Sequence, residues 1–350
     1  MDPVTHMLTG ACMSRAGFNR KTGLATLTMV LAAEAADWDV LWELKGSGEA
    51  LQHHRGITHS FVGAPFVAAA TLGFVYLLYR FWLRRRKPRP GNPPVRWKCL
   101  YWLALIAALS HLLLDYTTAY GIRLFEPFNY RWYSWDIMFI TEPVMLAVLI
   151  LGLVMPPFFG LVNQEIGARR KGPGGRGGAI FALVCVLVIW GYRDFQHRRA
   201  LGAISALTYN GETVMKIAAY PYIINPFRWY GVVETQDFFQ TFPVDSETPK
   251  VDPDSKARTF YKPEETPVTL AAKEAYFGRV YLDWAVFPLV ESEKLAGEFN
   301  GYVVQVQDLR YAYPGRSVLA GFVLLDSNLH VVAQGGSLDK PEWLRKITGR

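Results

Sequence analysis

Two long apolar runs constrain the fold of this chain more than any other feature of its sequence. Phe61 to Leu83 has Arg80 as its only charged residue, and Ile137 to Phe159 has only Glu142. A helix of about 20 apolar residues can cross the roughly 30 Å of hydrocarbon in a bilayer, and both runs exceed that length. Each run therefore predicts a membrane-spanning helix.

Two further segments have the composition of membrane spans. Cys99 to Tyr120 is comparably long and apolar, but it contains His111 and Asp115, which are costly in lipid and usually have a task or a partner there. Gly177 to Tyr192 is shorter, and it can span only if its helix continues into the polar residues that follow. The sequence thus predicts a helical integral membrane domain.

The distribution of basic residues predicts the orientation of these spans. Arg84 to Lys98 contains seven Lys and Arg residues and Arg169 to Arg176 contains four, and such loops face the cytoplasm. The last span then exits on the extracytoplasmic side. Arg193, Arg198 and Arg199 follow that span and disagree with this orientation, but the two larger basic loops outweigh them. We expect a multi-pass protein of the inner (cytoplasmic) membrane.

Residues 1–199 contain 22 basic and 12 acidic residues, whereas residues 200–350 contain 15 and 18, so the two halves have different surroundings. Alternating patterns predict strands at four places: Phe227 to Gln236, Val280 to Val290, Gly301 to Leu309 and Val318 to Val332. A helix is expected around Thr269 to Phe277, and a proline-rich polar stretch between residues 243 and 267 predicts a loop. We predict a helical membrane domain at 1–200 and an α+β, strand-rich extracytoplasmic domain at 201–350.

The amino-terminal segment is interpreted as a helical hairpin with a basic tip. Val4 to Phe18 and Thr22 to Val40 form its two arms, and the first arm is short enough to be re-entrant or covered by protein. With the tip inward, His6 and the pair Asp37 and Asp39 lie at the outer end of the hairpin.

Histidines and carboxylates concentrate at that same outer end. Five of the seven histidines fall in residues 1–120. His111 and Asp115 are four residues apart on one helix face. The predicted topology adds the following residues to the same side of the membrane: His6, Asp37, Asp39, His53, His54, His59 and Asp136. This convergence predicts a shared site.

Imidazole and carboxylate groups without cysteine suit Zn²⁺, Mn²⁺ or Fe²⁺, and the number of carboxylates suggests two or more ions. A bound cation lowers the pKa of its water to about 7, which is typical of hydrolytic sites. Arg55 can stabilise a developing anion and Asp37 can assist catalysis. Each piece also has a simpler interpretation: His6 as a capping histidine, Asp37 and Asp39 as a solvated helix end, and His111 with Asp115 as a buried ion pair. Glu142 is expected to make a helix–helix contact.

Four motifs resemble the YdjM-like family of membrane-bound predicted metal-dependent hydrolases. They are Asp2 to Gly10, Ala36 to Asp39, His54 to Ser60 and His111 to Gly121, with Asp136 to Pro143 as a further match. The motifs occur in the family's order. Ala36 departs from the pattern, since the family commonly has proline there.

The resemblance implies a set of metal ligands, with Asp37 as a companion: His6, Asp39, His54, His59, His111, Asp115 and Asp136. It also implies a distant similarity to the helical zinc phospholipase C and P1 nuclease fold, and hence phosphoester chemistry, although a fold does not fix a substrate. The strand-rich half resembles an accessory domain of some members.

We therefore expect a membrane metal-dependent hydrolase that acts on a phosphoester or related ester, with a small molecule or membrane lipid as substrate. Two other classes stay open: an ion- or proton-coupled transporter using His111 and Asp115, and a membrane adaptor whose metal is structural. Nucleic acid is not expected as a partner, because cytoplasmic loops beside anionic lipid account for the positive charge. Protein partners are not indicated by the sequence.

Overall fold

The computed structural model describes residues 1–85, 93–165, 175–248, 257–295, 299–313, 319–342 and 344. The chain divides into two compact units. The first contains residues 1–39, 55–196 and 221–226, and the second contains residues 40–54, 197–220 and 227–350. The segment 40–54 therefore belongs to the unit that holds the strands, although it precedes the first long apolar run.

Seven α-helices lie between Pro3 and Ser205, within the described part of the chain. They are α1 (Pro3–Arg15), α2 (Ala25–Ala32), α3 (Ser47–His53), α4 (Gly63–Phe81), α5 (Trp97–Tyr116), α6 (Pro143–Glu165) and α7 (Arg176–Ser205). Short 3-10 helices at Ala35–Lys45 and Ile57–His59 connect α2 to α3 and α3 to α4.

Three of the helices, α4, α5 and α7, are long and apolar enough to cross a membrane. They correspond to three of the four predicted spans. Helix α7 continues to Ser205, as the prediction at Gly177 to Tyr192 required. The loop at Arg169 to Arg176 lies largely outside the described residues.

The predicted start of the span at Ile137 is wrong. Helix α6 begins at Pro143, and its apolar part, Pro143–Phe159, is shorter than the other three spans. The backbone amides of Ile137 and Met138 instead donate to the carbonyl oxygen of Thr117, both at 3.0 Å. An apolar run does not distinguish helix from a buried extended segment, and proline favours the first turn of a helix.

The hairpin of α1 and α2 packs closely because small residues line its contact. A Cβ atom on Gly10 would lie 2.6 Å from the carbonyl oxygen of Met29 and 3.0 Å from the Cβ of Ala33. Small residues allow helix backbones to approach in this way. With 13 and 8 residues, both helices are shorter than a bilayer-spanning helix, which requires about 20.

The second unit contains two four-stranded sheets, ordered β1-β2-β3-β4 and β5-β6-β7-β8. Strands β1 to β4 are Lys216–Pro221, Arg228–Glu234, Phe238–Asp245 and Arg258–Tyr261, and β5 to β8 are Pro288–Leu295, Gly301–Asp308, Gly321–Asp326 and Val331–Gly336. Every pair from β2 to β4 and from β5 to β8 is antiparallel. The predicted α+β architecture is confirmed.

The predicted strand at Val280 to Val290 is wrong over its first half. Residues 267–284 form two helices, α8 (Pro267–Glu274) and α9 (Tyr276–Trp284), and only Pro288 begins a strand. Phe277, Tyr281 and Trp284 are buried at helical spacing on α9. Pro243, expected in a loop, lies inside β3 opposite Tyr230, and residues 249–256 of that loop lie outside the described part of the chain.

Candidate metal centre

Three separate segments of the first unit bring the predicted histidines and carboxylates together. The 3-10 helix Ala35–Lys45 carries Asp37 and Asp39, and the 3-10 helix Ile57–His59 carries His59. Helix α5 carries His111 and Asp115 near its carboxyl end, and both are fully buried. Their four-residue spacing places both side chains on the same face of the helix.

Four donor atoms from these segments form a compact group. The group consists of Oδ1 of Asp37, Nε2 of His59, Nε2 of His111 and Oδ2 of Asp115. The two Nε2 atoms lie 3.0 Å apart. Oδ2 of Asp115 lies 3.3 Å from Nε2 of His59 and 3.2 Å from Nε2 of His111. Oδ1 of Asp37 lies 3.2 Å and 3.6 Å from the same two nitrogens.

The other ring nitrogen of each histidine is fixed by an acceptor. Nδ1 of His111 lies 2.7 Å from the carbonyl oxygen of Ala33, which can only accept, so Nδ1 carries the proton. Nδ1 of His59 lies 3.0 Å from Oγ1 of Thr58 and 3.2 Å from Oδ2 of Asp39. Such contacts orient a metal-binding histidine and leave the lone pair of Nε2 available.

Asp39 contacts His59 at the other ring nitrogen, Nδ1, and contributes no atom to the group of four donors. Its Oδ2 accepts hydrogen bonds from Oγ1 of Thr58 at 2.8 Å and from the backbone amide of Arg55 at 3.0 Å. Asp37 has the opposite placement, because its carboxylate lies among the four donors. The family resemblance implies the reverse assignment, with Asp39 as a ligand and Asp37 as its companion.

Arg55 is buried, and both terminal nitrogens of its guanidinium group make hydrogen bonds. Nη2 donates to Oδ1 of Asp115 at 2.9 Å and Nη1 donates to Oγ1 of Thr118 at 3.1 Å. The guanidinium also lies 4.9 Å from the ring centre of Tyr120. Its backbone φ of 57° is in the left-handed region, which is uncommon for a residue other than glycine.

His6 lies against the group without belonging to it. Its ring stacks on that of His111 with centroids 3.9 Å apart, and its Nε2 lies 3.4 Å from Oδ1 of Asp115. Within the described residues, neither ring nitrogen of this fully buried side chain has a hydrogen-bond partner. Buried polar groups are rarely left in this state without a reason.

The remaining predicted residues lie outside the group of four. Asp136 has a φ of 60° and sits in the segment whose neighbouring amides bond to the end of α5. His54 follows the last residue of α3 and belongs to the second unit. Glu142 makes the expected helix contact, since it accepts from Nη2 of Arg193 on α7 at 2.8 Å.

Two carboxyl groups at this centre have shifted pKa values. Burial opposes ionisation of Asp37, but its interactions with His111 and His59 outweigh the burial and hold its pKa well below the ordinary value. Burial and the nearby charge of Asp37 raise the pKa of Glu34 to about 8. The sequence analysis missed Glu34 as a site residue, although it lies only three residues before Asp37.

The candidate membrane helices agree with a match to a family of membrane proteins. A family model described as YdjM inner membrane protein matches residues 1–200. The chain is also similar to the uncharacterized protein YfhP of Bacillus subtilis, with 24% identity over 159 residues, which cover 41% of this chain and 42% of YfhP. It thus spans about two fifths of the length of that relative. No solved structure matches the chain.

Proposed function

Because this chain belongs to the YdjM inner membrane protein family, we propose that its buried histidine–carboxylate group serves a membrane-bound, metal-dependent hydrolase. The proposed reaction is the cleavage of a phosphoester or related ester. The observation that carries this proposal is the convergence of Asp37, His59, His111 and Asp115 within one small volume.

The arrangement of the four donors fits a divalent cation. A tetrahedral ion with ligands at about 2.0–2.1 Å has ligand atoms about 3.3–3.4 Å apart. The five separations given above run from 3.0 to 3.6 Å. Since both Nδ1 atoms donate to acceptors, the two Nε2 lone pairs face each other beside two carboxylate oxygens. Positive charge between them relieves the repulsion among these four electron-rich atoms.

The donor set suits Zn²⁺, Mn²⁺ or Fe²⁺, as imidazole and carboxylate ligands do in general. A cation held here would supply an activated water and polarise an ester oxygen. The side chain of Asp37 is 17% exposed, whereas those of His59, His111 and Asp115 are 0% exposed. Asp37 therefore marks the open side of the group, from which a substrate could approach.

The surrounding residues would hold the ligands in position. Asp39 and Thr58 fix the ring of His59, and the carbonyl oxygen of Ala33 fixes that of His111. Arg55 donates to Oδ1 of Asp115, which leaves Oδ2 of the same carboxylate directed at the two histidines. We accordingly assign Arg55 a positioning role.

A second function is favoured by one observation. Four protein donors complete the coordination of a structural zinc ion, whereas catalytic zinc sites usually have three protein ligands and one open position. The alternative is therefore a membrane adaptor in which the metal stabilises the first unit. In that case, removal of the metal unfolds the protein, and no variant that keeps both metal and fold loses its function.

Elemental analysis of the detergent-purified full chain tests the proposal. We expect bound zinc, manganese or iron in the wild type and its loss in His111→Ala. His53→Ala is the matched control, because the side chain of His53 is 42% exposed and lies outside the group. Circular dichroism checks that each variant folds. No bound or restorable metal in the folded wild type would overturn the proposal.

Activity separates the two functions. The metal-loaded wild type should hydrolyse at least one member of a panel of phospholipids, nucleotides and acyl esters. Arg55→Lys should keep the metal but lose most of that activity, because a lysine cannot reproduce the two hydrogen bonds of the guanidinium. Failure of the fully loaded wild type on the whole panel would favour the adaptor.

The side of the membrane on which this site lies is part of the proposal. The basic residues between α4 and α5 support a cytoplasmic location for that loop. The carboxyl end of α5, and with it His111 and Asp115, then faces away from the cytoplasm. Labelling of single cysteines with a membrane-impermeant reagent in intact cells tests this orientation.

A further inference from the structure

A surface loop of the first unit exposes aromatic side chains close to the metal centre. We call residues 124–133 the aromatic loop. The side chains of Phe128, Tyr130 and Phe125 are 85%, 56% and 45% exposed. Exposed apolar patches outside the spans mark sites of contact with another protein or with a membrane.

The aromatic loop is held in a defined conformation by its own hydrogen bonds. The backbone amides of Phe128 and Asn129 donate to the carbonyl oxygen of Phe125 at 2.9 and 3.1 Å. The side chain of Asn129 accepts from the backbone amide of Arg131 and donates to the hydroxyl of Tyr133. The exposure of its aromatic rings is therefore a feature of an ordered loop.

The loop lies where two membrane spans end. The amide of Phe61, two residues before α4, donates to the carbonyl oxygen of Leu124 at 2.9 Å. Ile122, six residues after the end of α5, exchanges two hydrogen bonds of 2.9 Å with Tyr133. Aromatic and amphipathic side chains at the ends of spans are typical of the membrane–water interface.

The exposed surface of the loop continues onto the lipid-facing side of α4. The ring of Phe125 contacts that of Phe61 with centroids 5.6 Å apart, and Phe61 is 49% exposed. Phe66, one turn into α4, is 72% exposed. Because α4 itself is long and apolar enough to lie in a bilayer, this continuity favours lipid as the occupant of the surface.

A series of ring contacts connects the loop to the metal centre. Trp132 packs edge-on against Tyr120 with ring centroids 6.1 Å apart. The guanidinium of Arg55 lies over the ring of Tyr120. Arg55 in turn donates to Asp115. The backbone amide of Arg123 also donates to the carbonyl oxygen of Arg55 at 3.1 Å.

From these observations we propose that the aromatic loop is seated in the headgroup layer of the bilayer, and that the metal centre draws its substrate from that layer. The substrate class is then a membrane lipid whose headgroup ester lies at the depth of the loop. This second part rests on the proposed hydrolase function, whereas the position of the loop does not.

Depth-dependent fluorescence quenching tests the position of the loop. The full chain carries Phe128→Cys in a Cys99→Ala, Cys185→Ala background and is labelled with bimane in vesicles of phosphatidylcholine and phosphatidylglycerol. A nitroxide on the lipid headgroup should quench this label at least about twofold more than a nitroxide deep in the acyl chain, as interfacial residues require. Phe74→Cys, near the middle of α4, is the control, and its label should respond to the deeper nitroxide.

Two results would overturn the position of the loop. In the first, aqueous iodide quenches the label on Phe128→Cys as strongly as it quenches the free dye, and neither nitroxide quenches it. The other is formation of a disulfide between Phe128→Cys copies at a low protein-to-lipid ratio, because a second copy of the chain would then cover the surface.

Hydrolysis assays test the source of the substrate. Phe128→Ser should lower the turnover of phosphatidylglycerol in vesicles several-fold and leave that of water-soluble bis(p-nitrophenyl) phosphate unchanged. Equal loss on both probes would overturn a lipid substrate. If the quenching pattern is as expected but the metal-loaded wild type hydrolyses neither probe, the proposed hydrolase fails while the location of the loop stands.

Discussion

Nε2 of His59 and Nε2 of His111 face each other at 3.0 Å, and each ring donates a proton from its opposite nitrogen to a fixed acceptor. Two lone pairs at this distance repel unless a proton or a cation lies between them. A divalent cation that accepts both lone pairs would remove this repulsion, so metal binding should raise the stability of the folded chain.

We expect Asp39→Ala to weaken metal binding without abolishing it. Asp39 contacts His59 through Nδ1, and the loss of such an outer partner typically lowers metal affinity about 10- to 100-fold. Competition with a chromophoric chelator measures the change. Thr58→Val, which removes one hydroxyl from the same contact, should have a smaller effect. Complete loss of metal in Asp39→Ala would instead make Asp39 a ligand, as the family resemblance implies.

Removal of Arg193 should destabilise the first unit strongly. Arg193 and Glu142 form an ion pair at 2.8 Å, and both side chains are almost fully buried. Removal of one partner of a buried ion pair leaves the other charge unpaired and lowers the free energy of unfolding by about 3–5 kcal/mol. Unfolding of Arg193→Ala in detergent measures the loss, and Arg198→Ala on the exposed side of α7 is the control. A Glu142→Leu, Arg193→Leu double variant should lose less than Arg193→Ala, because no charge stays buried alone.

Gly10→Ala should disrupt the hairpin of α1 and α2. The added Cβ would lie 2.6 Å from the carbonyl oxygen of Met29, which is too close for any real contact. Gly73→Ala on α4 is the matched control, since no atom of the described residues lies within 4 Å of a Cβ there. We expect a clear fall in melting temperature for Gly10→Ala and little change for Gly73→Ala. Equal melting temperatures would contradict the close packing of the hairpin.

The stability of the metal-free protein should fall as the pH rises through the titration range of Glu34. Its pKa is raised from 4.5 to about 8, so the folded chain keeps a proton that the unfolded chain releases. The contribution of Glu34 to the free energy of unfolding is therefore largest below pH 4.5 and declines up to about pH 8. Between pH 5 and 8, the melting temperature of Glu34→Gln should change less with pH than that of the wild type. Glu43→Gln, an exposed control, should show the same pH dependence as the wild type.

The sequence was sufficient to predict three helices that can cross a membrane and to single out four residues that lie together in the structure: Asp37, His59, His111 and Asp115. Length and hydropathy determine whether a helix can span a bilayer, and the spacing of His111 and Asp115 determines which face they share. These properties are local. The run that begins at Ile137 shows the limit, because the hydrogen bonds of its first residues to Thr117 depend on a segment that is distant in the chain.

The individual roles of the site residues could be assigned only from the three-dimensional structure. Asp37 and Asp39 differ by two positions, and only the fold shows that one carboxylate faces Nε2 of His59 while the other contacts Nδ1. In the second unit, the strand predicted at Val280 became helix α9, because Phe277, Tyr281 and Trp284 bury one helical face. The apolar residues alone did not distinguish the period of a helix from the period of a strand.

The spacing of the four donors along the chain has a consequence for biosynthesis. His59 is 22 residues from Asp37 and 52 residues from His111. A nascent chain that ends before α5 therefore offers only two of the four donors, and a single carboxylate and imidazole hold a divalent ion weakly. Under the proposed function, metal acquisition therefore follows the synthesis of α5 and is a late event in the assembly of the protein.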